Sequence, residues 1–120
     1  MKINIRKEIK NISEDIYYYR RDFHQYPELS FKEHRTAETI SKYLDSFEIN
    51  HKTNIGKTGI VGEINFGDGP TIALRADMDA LPIQETGNLE YKSKNDGVMH
   101  ACGHDGHMAI LLGAANALSQ

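Results

Sequence analysis

The residues best suited to chemistry lie in one short segment near the C-terminus, MHACGHDGHM, at residues 99–108. It holds the only cysteine of the chain, together with three of the six histidines and an aspartate. Thiolate, imidazole and carboxylate groups are the ligands that borderline divalent metals prefer. Because one residue separates Cys102 from His104, an extended loop can present both side chains on the same side. The segment therefore predicts a metal site.

Three other interpretations of this segment stay open. A buried free cysteine with unrelated histidines would bind nothing. Cys102 could instead be a nucleophile activated by a histidine, although no separate oxyanion-binding motif accompanies it. A structural zinc site is the third, and it would be tight because such sites usually pair ligands from two separate stretches. Its four ligands would be His100, Cys102, His104 and His107.

A second polar cluster, RADMDALP at residues 75–82, overlaps the end of an apolar run, TIALRA at 71–76, which has the pattern of a buried strand. In extended geometry Asp77 and Asp79 face the same way. Sites in open α/β sheets lie beyond the carboxyl ends of strands, where acids can bind a metal or orient a histidine ligand. The alternative is an aspartate-rich turn, but a site shared with the Cys/His segment is favoured.

A third segment, RRDFHQYPELSFKE at residues 20–33, has the pattern of a helix end followed by a restart. Pro27 stops the first helix. Ser30 and Glu33 predict a capping box for the next one. His24 is interpreted as a helix-terminal histidine, favoured there by the helix dipole.

The hydrophobic pattern predicts the elements that position these segments. Apolar residues three and four apart predict amphipathic helices over residues 3–25 and 31–47. The first apolar stripe consists of Ile5, Ile9, Ile12, Ile16, Tyr19 and Phe23, and the second of Ala37, Ile40, Leu44 and Phe47. Strands are predicted at 50–55, 59–66 and 71–76, with a hairpin turn at 67–69 and a polar loop at 87–97. A third helix runs from Asp105 to the last residue and is apolar nearly all round, so we expect a larger structure to bury it.

Composition excludes several classes of function. The 120 residues carry a formal net charge of −3, which provides no basic surface for nucleic acid or for a membrane. One cysteine forms no internal disulfide, and the charged N-terminus has no apolar signal-peptide core. These features predict a cytoplasmic location.

The three polar segments, in this order and spacing, resemble the N-terminal part of the M20 metallopeptidases. The similarity is to the amidohydrolase branch, which includes N-acyl-amino-acid amidohydrolases, hippurate hydrolases and auxin-conjugate hydrolases, and it covers residues 20–117. It implies an α/β fold, the N-terminal part of a zinc-peptidase-like catalytic domain. Two helices are then followed by strands of a mixed sheet and by a buried helix, and residues 1–120 are one portion of that domain.

The resemblance also implies a two-metal hydrolase that cleaves the amide bond of N-acyl amino acids with metal-activated water. Cys102 is then the thiolate ligand of the metal pair, and His104 binds one ion. Asp77 and Asp79 lie beside the ions in supporting or structural roles. The complete site would hold two divalent ions of Zn, Mn, Co or Ni, the substrate would be a small molecule, and the complete protein could be a homodimer.

One departure from the family bears on activity. The catalytic glutamate of the family, further metal ligands and the inserted lid or dimerisation domain fall beyond the 120 residues. We therefore expect no hydrolysis by this chain alone. A non-catalytic remnant that binds metal or docks on a partner through its apolar C-terminal helix is the alternative.

Overall fold

The computed structural model describes residues 6–120 and confirms the predicted α/β class. Within these residues there are four helices and one antiparallel pair of strands. The helices are α1 (Lys7–Asn11), α2 (Ser13–Gln25), α3 (His34–Ser46) and α4 (His104–Ser119), and the strands are β1 (Asn50–Ile55) and β2 (Gly59–Glu63). The two strands pair with Asn50 opposite Glu63 and Ile55 opposite Gly59.

The core lies where α2 packs against α4, with α3 and the strand pair at one side. Its buried side chains are Tyr19, Phe23, Leu44, Ile49, Met108, Ala109 and Leu112. Only one face of α4 contributes, since Ile110 and Leu118 on the same helix are exposed. The described residues therefore bury less of α4 than its all-round apolar character predicts.

Gly113 marks the closest approach of α4 to α2. A Cβ atom there would stand 2.6 Å from Cδ1 and 2.8 Å from Cγ1 of Ile16. We expect Gly113→Ala to lower the free energy of unfolding by about 1–2 kcal/mol, because overpacking outweighs the better helix propensity of alanine. Urea titration measures the change. Gly106→Ala is the control, because its Cβ would meet nothing within 4 Å. Equal effects of the two substitutions would contradict the contact with Ile16.

The predicted first helix is divided into α1 and α2 at Ile12, where φ is −101° and ψ is 5°. The Ser13 hydroxyl donates to the Lys10 carbonyl (2.9 Å) and so competes with the helical hydrogen bonds there. Ile12, Tyr19 and Phe23 are buried as expected, whereas Ile9 is exposed. The prediction for Ile5 falls outside the described residues.

The predicted capping box is wrong, because α3 begins at His34 and its cap comes from Glu28. The Glu28 carboxylate accepts from the amides of Arg35 (2.9 Å) and Thr36 (2.7 Å), which are otherwise unpaired amides of the first turn. Glu33 instead accepts from the Thr58 hydroxyl at 2.6 Å and is thus tied to the start of β2.

The predicted strand at 71–76 is also wrong for the described residues. The segment has no regular secondary structure, and Ile72 and Leu74 are 81% and 61% exposed. A strand needs a neighbouring backbone to bond to, and β2 ends at Glu63 without reaching this segment. The turn at 67–69 therefore joins no hairpin.

Two short backbone bridges bring the three polar segments together. Leu29 pairs in parallel with Ala80, and Leu81 pairs antiparallel with Met99. The Ala80 amide donates to the Glu28 carbonyl (2.8 Å), and Leu81 and Met99 exchange bonds of 2.9 and 3.0 Å. Segment 75–82 therefore lies between the other two, directly beside the start of α4.

Tyr43 provides a pH test of how α3 packs. Burial, reinforced by the negative charge of Asp22, raises the pKa of Tyr43 from 10.0 to about 12. Its phenol should therefore ionise late in a spectrophotometric titration. Because the unfolded chain loses this proton first, the stabilisation is complete below pH 10 and is lost as the pH rises from 10 to about 12.

Burial also raises the pKa of Tyr19, so Tyr43→Phe should remove one of the late ionisations, whereas Tyr17→Phe, at an exposed position, should remove none. A late absorbance change of undiminished size in Tyr43→Phe would contradict the burial of this ring.

Candidate metal centre

His104 is the first residue of α4, one position earlier than predicted. Gly103 before it has φ 88° and ψ 14°, a left-handed conformation that glycine adopts without strain. The His104 Nδ1 atom lies 2.9 Å from the backbone oxygen of Asp79 and 3.1 Å from its Oδ1 atom. A carbonyl oxygen only accepts, so Nδ1 carries the proton and donates it. In the neutral ring Nε2 is then left with its lone pair.

This arrangement is the one that a histidine ligand of a metal needs. Such histidines usually donate their other N–H to a carboxylate or a backbone carbonyl, which fixes the tautomer and the ring orientation. Asp79 supplies both acceptors to His104. Among the described residues, Nε2 of His104 has no hydrogen-bond partner.

Cys102 precedes this turn and is an exposed free thiol. The thiol is therefore accessible, unlike that of a buried structural cysteine. His107 is also exposed, and its ring centroid lies 6.0 Å from that of His104. The structure thus places Cys102, His104 and Asp79 in one region at the start of α4.

The two aspartates of the second segment have different surroundings. Asp79 contacts His104, whereas Asp77 accepts a 2.8 Å hydrogen bond from the exposed Arg75 guanidinium. Within residues 6–120, no side chain of the Cys/His segment bonds to Asp77. The structure therefore brings Asp79 to the candidate ligands and leaves Asp77 in a surface ion pair.

The donor chemistry fits part of a metal site. A thiol and an imidazole with its free lone pair on Nε2 are ligands for Zn²⁺ and related ions. Within residues 6–120, no group of three or more His, Cys, Asp or Glu side chains is arranged to hold an ion. Cys102 and His104 would thus supply two ligands, and a complete site needs more.

Asp105, the second residue of α4, is the centre of a buried charge network that local sequence patterns did not reveal. Its Oδ2 atom accepts from Nδ1 of His24 (2.8 Å) and from Nε of Arg20 (3.0 Å). The other ring nitrogen of His24 lies 3.1 Å from Oε1 of Glu85. Exposure is 2% for His24, 3% for Glu85 and 1% for Asp105. His24 therefore does more than end a helix.

Glu85 is fixed in turn by the following loop. Its Oε2 atom accepts from the Ser93 amide at 2.7 Å. Burial alone would raise the pKa of Glu85, but the hydrogen bonds from Ser93 and His24 lower it below its ordinary value. Glu85 therefore stays ionised as a structural anion.

His100 lies in the same interior and is 4% exposed. Burial lowers its pKa to about 4, against the opposing attraction of Asp105. The ring is therefore neutral at neutral pH. Neither of its nitrogens has a hydrogen-bond partner in the part of the chain that the structure describes, and the same holds for Oδ1 of Asp105.

The chain resembles known proteins in both sequence and fold. Residues 73–120 match the family model described as Peptidase family M20/M25/M40. The chain is 46% identical over 120 residues to an N-acyl-L-amino acid amidohydrolase of Geobacillus stearothermophilus, covering 99% of this chain and 32% of that protein. It is 47% identical over 118 residues to a hippurate hydrolase of Campylobacter jejuni, covering 98% and 31%.

A solved structure agrees with these relatives. A Bacillus subtilis protein described as a dinuclear metal-binding peptidase of the M20 family matches with a TM-score of 0.87 and 48% identity, over 92% of this chain and 32% of that one. The chain spans about a third of the length of the curated relatives it matches. Residues 73–120 thus match the M20 family model, and the chain as a whole is similar in sequence and fold to the N-terminal third of these relatives.

Proposed function

We propose that this chain supplies the N-terminal portion of the catalytic domain of a metal-dependent amidohydrolase that cleaves the amide bond of N-acyl amino acids. The relatives named as N-acyl-L-amino acid amidohydrolase and hippurate hydrolase support this reaction class. The observation that carries the proposal is the orientation of His104, whose Nδ1–H is held by Asp79 while Nε2 is left free.

Each side chain has a definite task in this proposal. Cys102 and His104 hold the divalent metal, which when bound acidifies water and polarises the substrate carbonyl. Asp79 keeps the imidazole of His104 in the tautomer that binds through Nε2. No glutamate among the described residues is assigned as general base, and Cys102 and His104 alone do not complete a metal site. The exposed thiol of Cys102 must stay reduced, which favours the cytoplasm.

A chimaera tests the proposal with this chain's own residues. Residues 1–120 would replace the aligned third of the Geobacillus amidohydrolase, to which they are 46% identical. We expect hydrolysis of N-acetyl amino acids in the presence of Co²⁺, abolished by Cys102→Ser or His104→Ala. Arg75→Gln, which changes an exposed ion pair, is the control and should retain activity.

Two results of this experiment would contradict the proposal. A folded, metal-loaded chimaera without activity would favour a non-catalytic remnant. Activity that survives both Cys102→Ser and His104→Ala would exclude these two residues as ligands.

The 120-residue chain alone should show no turnover, and metal-dependent turnover by it would show that no further base is needed.

A partner-docking function is the second candidate, favoured by exposed apolar side chains on the segment before Asp77. Phe66 is 76% exposed, and Ile72 and Leu74 are exposed as well. Large exposed apolar patches mark interaction surfaces. A monodisperse monomer that binds no hydrophobic dye would count against docking.

No helix among residues 6–120 is long and apolar enough to cross a bilayer.

A further inference from the structure

The buried network around His24 connects three separate parts of the chain. His24 and Arg20 come from the last turns of α2, Glu85 from the loop after the second polar segment, and Asp105 from the first turn of α4. The three hydrogen-bonded pairs join residues 61 to 85 positions apart in sequence. Asp105 directly follows His104 in the chain.

Two carboxylates flank the ring of His24. Ionised carboxylates only accept hydrogen bonds, so the bonds to Asp105 and Glu85 form together only when both ring nitrogens carry protons. With Arg20, the four side chains then carry two positive and two negative charges. A buried ion cluster of this kind is costly unless its charges are paired and hydrogen-bonded, and here each charge has an opposite partner within 3.1 Å.

We propose that His24 is a positioning residue of the metal centre, acting through Asp105 to orient His104. This inference rests on the proposed function, because it assigns His24 a role toward the metal ligands. His24 is not itself a ligand, since both of its nitrogens bond to carboxylates.

The argument has two geometric steps. Asp105 lies in the first turn of α4, so clamping its carboxylate fixes the rotation of that turn and the direction in which His104 leaves it. Asp79 then holds the ring itself through Nδ1. Gly103, which precedes this turn with a left-handed φ of 88°, has no side chain that could restrain the turn instead. His104 is therefore held from both sides only while the hydrogen bond between His24 and Asp105 is intact.

The test uses the 120-residue chain and the variant His24→Gln. We expect its affinity for Cd²⁺ to fall about tenfold, the lower end of what loss of an outer partner of a metal ligand costs. His51→Gln is the matched control, because His51 is part-buried and, like His24, is bonded through both ring nitrogens, to Ser41 (2.6 Å) and to the Ile49 carbonyl (3.0 Å), but away from the centre. It should leave Cd²⁺ affinity unchanged.

A second measurement separates positioning from a general structural role. In the metal-free chain, the ¹⁵N spectrum of His104 should show a protonated Nδ1 and an unprotonated Nε2, and this signature should weaken in His24→Gln but not in His51→Gln. In an Asp105→Asn background, His24→Gln should cost little further affinity, because both act on one path.

The outcomes distinguish the two proposals. If the wild-type chain binds no Cd²⁺ but His24→Gln still changes the His104 spectrum, the positioning role stands and the ligand assignment fails. If His24→Gln lowers stability while affinity and spectrum are unchanged, the positioning role is overturned. Should His24→Gln not fold, Glu85→Gln replaces it, because this substitution weakens the hydrogen bond on the other side of the His24 ring. It must then give the same changes in smaller size, or the proposal is wrong.

Discussion

Asp105→Ala should destabilise the chain by about 3–5 kcal/mol, the usual cost of removing one partner from a buried ion pair. The substitution leaves the His24 ring without its 2.8 Å partner and the Arg20 guanidinium without its 3.0 Å partner, in a site where Asp105 is 1% exposed. Small domains are stable by only about 5–15 kcal/mol in total, so the variant should be close to unfolding at room temperature.

Urea titration of the metal-free chain measures this effect, and Asp77→Ala is the matched control. Asp77 also pairs with an arginine, at 2.8 Å, but on the surface, where such pairs are worth about 0–1 kcal/mol. Similar losses in the two variants would show that the network around Asp105 does not stabilise the fold.

His104→Ala should weaken Cd²⁺ binding more than about a hundredfold, beyond what loss of an outer partner costs. The reason is that Nε2 of His104 is the nitrogen left with a lone pair when Nδ1 donates to Asp79. Isothermal titration of the 120-residue chain measures the affinity, and circular dichroism checks that the variant is folded.

His107→Ala is the control for this prediction. His107 is exposed and its ring centroid is only 6.0 Å from that of His104, so it tests whether any nearby imidazole contributes equally. Equal losses in both variants would contradict the assignment of His104 as the specific histidine ligand.

The helices could be predicted from the sequence because their signal is local. Ile12, Tyr19 and Phe23 recur at helical spacing and are buried together. The ends of the helices could not be predicted in the same way. The cap of α3 comes from Glu28, which accepts from amides seven and eight residues later, outside the four-residue pattern that a capping box requires.

The predicted strand at 71–76 shows where prediction from a local pattern fails. Its apolar residues fit a buried strand, but strand formation depends on a neighbouring backbone that no local pattern supplies. In the described residues that neighbour is missing, and Ile72 is therefore exposed.

The candidate site shows the same difference between local features, which the sequence reveals, and long-range contacts, which it does not. Cys102 and His104 stand out because their residue types and spacing are chemically unusual within one short segment. The residues that orient these ligands do not stand out in the sequence. His24 resembles an ordinary helix-terminal histidine until folding places it between Asp105 and Glu85, 81 and 61 residues away.

The most direct test of the central claim is the electronic spectrum of the 120-residue chain loaded with Co²⁺. Coordination by Cys102 predicts a sulfur-to-cobalt charge-transfer band that is absent from Cys102→Ser and strongly reduced in His104→Ala. A spectrum without this band, or a band that persists in Cys102→Ser, would show that the thiol at the start of α4 does not bind the metal.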